Sequence, residues 1–355
     1  MAYGAGKPLA SPAGNGLLDK DVEFPKGPED TISALRWSPV GNHLAASSWD
    51  GKVYIYDASN STSTASIRGV AAITVGAPVL GCDFSKDGTI AVGAAADKTI
   101  HLMDLNSSQT MKLEGHTAPV RTVRFVEVPS ANAPIIASGS WDKTVRYWDL
   151  RQPQSIGTLQ LSERVYAMDA AGPLLFAATA DNQLHFVDLR ANPLQLWRST
   201  KSPLARQTTA ASVCSDGSRW AVSSIEGRAA AQAADEKDKK RFQDLTFKCH
   251  REPSPAKKNQ TDVYAVNALC YSPAHKDVLA TGGSDGTYNV WDVVTHRRLR
   301  SFPRASGPVT ALSFRPDGMA LAYAVGYDWS KGYTHNKPET EKKIVLRILG
   351  EAPKK

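Results

Sequence analysis

The chain has 355 residues, 42% of them hydrophobic, with 42 Lys and Arg against 35 Asp and Glu for a formal net charge of +7. That content supports a sizeable core, and the mild basic excess leans toward acidic partners without resembling a polybasic tail. No apolar run approaches the roughly 20 residues that span a bilayer, and the first twenty residues hold no hydrophobic leader, so a soluble intracellular protein without a membrane span is expected.

Residues 1–18 read as a flexible extension, followed by a short strand around Asp19–Phe24 with no local partner. From Thr31 a plan of short alternating strands begins and runs to Asp57, with Asp50-Gly51 suited to a tight hairpin turn. The plan returns over Pro78–Asp104, Ala118–Asp149 and Arg164–Asp188, more weakly over Thr208–Ala234, and again over Val266–Asp292. A last copy starts at Pro308 and resumes its third strand at Lys342–Leu349. First strands are expected near Ile32, Val79, Val120, Val165, Thr208, Val266 and Val309, a period of about 41–47 residues with one longer step after Thr208. Two copies close on Trp-Asp, Tyr147-Trp148-Asp149 and Val290-Trp291-Asp292. These repeats predict an all-β, seven-bladed WD-repeat β-propeller over 19–349, with the N-terminal strand closing the last blade and 350–355 as a tail. His116, Asp142 and Trp148 read as a buried hydrogen-bonded set within one blade.

Motifs for chemistry are absent: the sequence contains no P-loop, GxSxG or HExxH. Its eight histidines are scattered, and Cys82, Cys214, Cys249 and Cys270 lack CxxC spacing. The thiols read as reduced, in a cytosolic or nuclear setting. No catalytic residue, cofactor or metal is expected. A binding platform is the remaining reading.

Aligned on its neighbours, Glu226-Gly227-Arg228 falls where the first unit has Asp50-Gly51-Lys52, at the turn between second and third strands. In a propeller those turns share a face with the connections between blades. Lys248-Cys249-His250-Arg251 leads to that face, Trp49 and Trp141 precede turn aspartates on it, and Tyr327-Asp328-Trp329 occupies it in the last unit. Trp49, Trp141, Arg228, Lys248, Arg251 and Trp329 are therefore the candidate partner-binding residues, because aromatic rings and arginine dominate binding hot spots. Plainer readings stand beside this one. A tryptophan at a turn can cover a blade edge, and Arg228 can pair with a neighbouring turn carboxylate. Asp235–Arg241 (DEKDKKR) reads as a solvated loop, and Arg297, Arg298, Arg300 and Arg304 as a further basic cluster. Ala229-Ala230-Ala231-Gln232 predicts a weak third strand that shifts Arg228.

Ser224–Arg228 (SIEGR), Leu245–Arg251 (LTFKCHR), Asp262–Pro273 (DVYAVNALCYSP) and Tyr327–Tyr333 (YDWSKGY) carry a resemblance that covers roughly residues 27–349. The chain resembles the mRNA export factors of the nuclear pore, the RAE/GLE type of WD-repeat protein, and beyond them the mitotic-checkpoint propeller that binds kinetochore kinases. The resemblance implies a scaffold that takes an acidic GLEBS-type peptide of an FG-repeat nucleoporin across one face. It places Trp49, Trp141 and Arg228 in that surface, with Lys248 and Arg251 beside them. It also implies possible contact with RNA or mRNP, and location at the nucleus, nuclear pore complex and nuclear envelope, with passage through the cytoplasm. A checkpoint adaptor at kinetochores or the spindle, or an RNA-binding propeller, is the alternative.

Overall fold

The computed structural model describes residues 21–349 apart from 42, 60–65, 130, 132, 241 and 256–257, so the expected extension at 1–18 and tail at 350–355 lie outside the described residues. Seven four-stranded antiparallel sheets follow one another along the chain, with a separate two-stranded hairpin between the fifth and sixth. They are the blades of an all-β propeller. First strands run Ile32–Trp37, Val79–Phe84, Val120–Val126, Val165–Ala171, Thr208–Val213, Val266–Tyr271 and Val309–Phe314, each at its expected start. Blades 1 to 7 below follow this order.

Burial explains the composition strand by strand. Second strands such as Ile135–Ser140 (IIASGS), Leu174–Thr179 (LLFAAT) and Ala320–Val325 (ALAYAV) are buried at every residue. Neighbouring blades press on both of their faces, so apolar and small residues run continuously instead of alternating. Gly139 shows the tightness: a Cβ there would stand 2.8 Å from Val165 of the next blade. Outer strands such as Arg198–Lys201 alternate half-buried with exposed residues, the pattern of a strand with one wet face. Seven hydrophobic clusters among the described residues fill the seven seams between adjacent blades.

The last blade takes its outer strand from the N-terminal side, where Asp21–Glu23 pairs antiparallel with Val345–Arg347. Arg347 donates to Asp21 at 2.6 Å, and the Tyr323 hydroxyl donates to the same carboxylate. Both members of the ion pair are buried. Breaking such a pair by removing one partner typically costs about 3–5 kcal/mol, so ring closure is anchored by charge as well as by strand pairing.

Two blades carry the same buried polar relay. In blade 3 the His116 Nδ1–H donates to Asp142 at 2.7 Å, the Ser138 hydroxyl meets His116 Nε2 at 2.7 Å, and the Trp148 indole donates to that hydroxyl at 2.8 Å. Blade 6 repeats it with His250, Asp285, Thr281 and Trp291. His250 belongs to the Lys248–Arg251 stretch, so this part of the presumed receptor is turned inward and serves the fold.

Blade 5 corrects two expectations. The alanines of Arg228–Ala233 do form a complete strand, paired from Arg228 opposite Ser224 to Ala233 opposite Arg219, and Arg228 keeps its place. Neighbouring rings supply the missing volume: Trp220, tilted against Phe176 and Phe186, packs with Ala230 from one side, and Tyr271 lies in the cluster with Ala229 and Ala231 on the other. Within the stretch read as a solvated loop, Glu236–Lys240 is a short 3-10 helix. The second part of the long step is the hairpin of Arg251–Pro253 with Thr261–Val263, which the repeat pattern did not announce.

Candidate binding face

Turns between second and third strands, together with the connections entering each next blade, form one rim of the ring, here called the upper face. Trp49, Trp141, Arg228, Lys248, Arg251 and Trp329 all stand on it, in three groups.

At the seam between blades 7 and 1, Trp49 stacks on Trp329 with ring centroids 4.5 Å apart, and Tyr327 tilts against Trp329 at 5.8 Å. Trp329 holds a left-handed backbone (φ 60°), and its indole N–H is buried without a hydrogen-bond partner. A bulky residue in that region is strained, and an unmet buried donor is costly.

Trp141 stands apart on blade 3. Its backbone N–H is tied to the Pro119 carbonyl, while its side chain is 40% exposed. An indole left this open contributes little to the fold and offers a flat apolar surface to a partner.

The third group is the junction of blades 5 and 6. Arg228 opens the third strand of blade 5, and Lys248 lies directly opposite it on the fourth. Cross-strand neighbours face the same way, so two cations stand side by side. Among the described residues the one acid in ion-pair reach of Arg228 is Glu226, 3.9 Å from its Nε, with both side chains partly open to water. An exposed pair at that distance is worth under about 1 kcal/mol, which leaves Arg228 available to a better acceptor. Arg251 behaves differently. Its guanidinium folds back to donate to the Glu226 carbonyl at 2.6 Å and the Gly227 carbonyl at 3.3 Å. It clasps the turn that presents Arg228.

Sequence reasoning missed the apolar neighbours of this basic pair. Ile225 and Val263 are 46% and 43% exposed, on the turn before Arg228 and on the hairpin above it. The hairpin is pinned from below: Glu252 accepts from Tyr264 and from Arg304, both at 2.6 Å. Arg304 is thereby drawn out of the further basic cluster, and Arg300 donates to the Leu349 carbonyl.

The opposite face holds a cavity of about 850 Å³, walled by Trp37, Phe84, Phe125, Tyr271 and Phe314. Its charges are mutually balanced, with Arg36 and Arg124 against Asp169 and Asp83, and Lys86 against Glu127. Among the described residues no group of His, Cys, Asp and Glu could hold a metal, and no helix is long and apolar enough to cross a membrane. Burial pushes the Cys82 thiol up to about 11 and those of Cys249 and Cys270 up to about 12.

A ring of seven WD-repeat blades whose polar relays are spent on the fold, with aromatic and cationic groups gathered on one rim, is a WD-repeat scaffold. The WD domain, G-beta repeat, model matches residues 20–57, 72–104, 107–149 and 257–292. A WD40 repeat protein, poxJ, of Penicillium oxalicum is 46% identical over 95% of both chains. The poly(A)+ RNA export protein of Schizosaccharomyces pombe is 42% identical, covering 93% of this chain and 91% of its own. The mRNA export factor GLE2 of Chaetomium thermophilum is 40% identical over 95% of this chain and 92% of its own. The chain belongs to this family of WD-repeat mRNA export factors, a family of non-enzymatic scaffolds.

Proposed function

We propose that the protein is an export adaptor that holds a short acidic peptide, of the GLEBS type carried by an FG-repeat nucleoporin, across its upper face. The observation that carries this is the basic pair at the blade 5–6 junction: Arg228 and Lys248 face one way, with Glu226 weakly engaged against Arg228. A peptide carboxylate laid there gains charge-assisted bonds from two cations, and arginine's planar fork suits a carboxylate. The Trp49–Trp329 stack and Trp141 supply apolar anchors on the same rim. Relatives named for poly(A)+ RNA and mRNA export support work in that process, at the nucleus and the nuclear pore. In this reading the scaffold links the export machinery, and through it the mRNP, to the pore.

The test is recovery from nuclear extract on immobilised wild-type and Arg228→Ala protein, identified by mass spectrometry. Wild type should enrich an FG-repeat nucleoporin and the variant should lose it. With that nucleoporin's acidic segment as purified peptide, Arg228→Ala should weaken binding by roughly 2–4 kcal/mol. Trp141→Ala should also weaken it while leaving the melting temperature nearly unchanged. Equal recovery by both proteins would put the peptide on another surface, and recovery of kinetochore kinases would assign the protein to checkpoint work.

A further inference from the structure

Each blade's innermost strand carries one irregularity in the same place. The ladder slips between its first and third residues, as at Val120/Thr122 in blade 3 and Val165/Ala167 in blade 4. A bulge of this kind re-aims the extra residue, and here the slipped residue of every blade lines a central cavity of about 110 Å³. In six blades that residue is neutral. In blade 3 it is Arg121.

Charge in the centre of the ring does not balance. Arg36 reaches Asp169 at 2.5 Å and Asp83 at 3.4 Å, and Arg124 reaches Asp169 at 2.7 Å. These two cations and two carboxylates cancel. Arg121 is left over. It donates through Nη1 to the Leu80 carbonyl at 2.7 Å, and no carboxylate of the described residues lies within ion-pair distance of it. Burial, and then the neighbouring Arg124, push its pKa down, the signature of a cation without compensation. Two hydroxyl groups around the same cavity are also unspent. The Thr310 hydroxyl is buried without a partner, and Tyr166 makes no side-chain hydrogen bond among the described residues. The guanidinium of Arg164, exposed on the connection into blade 4, lies 5.7 Å over the Tyr166 ring. Arg121 is half-buried at the cavity wall, and by this measure of volume a single water needs only about 10–15 Å³, so the space admits an anionic group with waters.

We propose that the central channel is a binding site for one small anionic group, a carboxylate or a phosphate, held by the unshared side of the Arg121 guanidinium with the Tyr166 and Thr310 hydroxyls as further donors. The site is separate from the upper-face peptide surface and needs none of its residues. Two sources share this chemistry: a free small anion, or an acidic group presented by another polypeptide at the channel mouth.

Calorimetry and thermal melts on the full-length protein separate them. The probes are inorganic phosphate and acetate, each against chloride at equal ionic strength, and a hexaglutamate peptide. Arg121→Gln is the test variant, and Arg297→Gln, an exposed arginine outside the channel, is the charge-matched control. Saturable phosphate or acetate binding by wild type and Arg297→Gln, weakened at least tenfold in Arg121→Gln, establishes a site for a free anion. A tenfold loss confined to hexaglutamate establishes a site for a carboxylate borne on a chain. The same affinity for every probe in all three proteins, or no binding of any, overturns the proposal. Should Arg121→Gln fail to fold, Arg121→Lys keeps the charge without the planar fork, and a severalfold weakening is expected; unchanged binding in it would again overturn the site.

Discussion

Replacing His250 with alanine separates the structural from the recognition role of the Lys248–Arg251 stretch. The His250 side chain is fully enclosed, with its Nδ1 2.9 Å from Asp285 and its Nε2 3.0 Å from the Thr281 hydroxyl. Removing the imidazole deletes a hydrogen bond to a charged group, worth about 1.5–3 kcal/mol, and a neutral one worth about 1 kcal/mol. Asp285 is left nearly buried, although it keeps the backbone N–H and hydroxyl of Thr287. Those retained bonds hold the total near the lower end, so a loss of about 3 kcal/mol is expected. Urea unfolding followed by tryptophan fluorescence reads it directly, since Trp291 donates to the same Thr281 hydroxyl. Lys248→Ala is the internal comparison: its exposed side chain should matter by no more than about 0.5 kcal/mol. If His250→Ala costs less than 1 kcal/mol, or no more than Lys248→Ala, the relay in blade 6 does not hold the blade and the stretch must be reread as surface.

Acid titration tests the matching relay in blade 3. Burial raises the Asp142 carboxyl, but hydrogen bonds from His116 and Thr144 outweigh it and hold the group below the usual range. A folded pKa below the unfolded value of about 3.9 gives stability that is complete above that pH and is lost as pH falls toward the folded value. Wild-type stability should therefore decline below about pH 4, and Asp142→Asn should be less stable at pH 7 with a flatter acid limb; an unchanged limb would remove Asp142 from the account. Thiol labelling gives an independent reading of the core. All four cysteines are buried and free, and with thiols pushed to 11 or above at Cys82, Cys249 and Cys270 the thiolate is scarce at pH 8. Native protein should react with a thiol reagent only at the rate of unfolding, and fast labelling before unfolding would contradict the packing at the reacting site.

The blades were legible because their signals are local. A strand start recurs in every unit, and most units share a tight turn at an acidic residue and a third strand that closes on Asp, while seams between similar elements add no new pattern. His116 was readable as a relay residue for the same reason: it lies only four positions before its blade's first strand at Val120. His250 plays the same part in blade 6, but Arg251–Pro253 and Thr261–Val263 intervene before Val266, and a cysteine stands where His116 has Gly115. The insertion hid an ordinary structural histidine inside what reads as a basic tail. The alanines of blade 5 misled in the opposite way. Strand propensity is a statement about packing on a pleated surface, and the rings that pack there come from Trp220 on the neighbouring strand and from Tyr271 of the next blade.

Arg251 is where those two readings meet. Sequence reasoning placed it in the receptor, whereas its guanidinium is occupied by the carbonyls of Glu226 and Gly227. Gly227 in turn has φ 60°, and a Cβ there would stand 2.8 Å from the Cys249 carbonyl and 3.0 Å from that of Tyr264. The turn is thus fixed from above and below before any ligand arrives, which spares the ordering cost of an arginine on a loose loop. On the proposed peptide reading, Arg251 acts only through Arg228. A double-mutant cycle distinguishes this from direct contact. Arg251→Met, which keeps the stem and removes the donors, should weaken peptide binding in the wild-type background and add nothing in the Arg228→Ala background. Gly227→Ala should strain the same turn by roughly 1–3 kcal/mol and weaken the peptide in parallel. Additive losses for Arg251→Met and Arg228→Ala would mean that Arg251 releases the turn and meets the peptide itself.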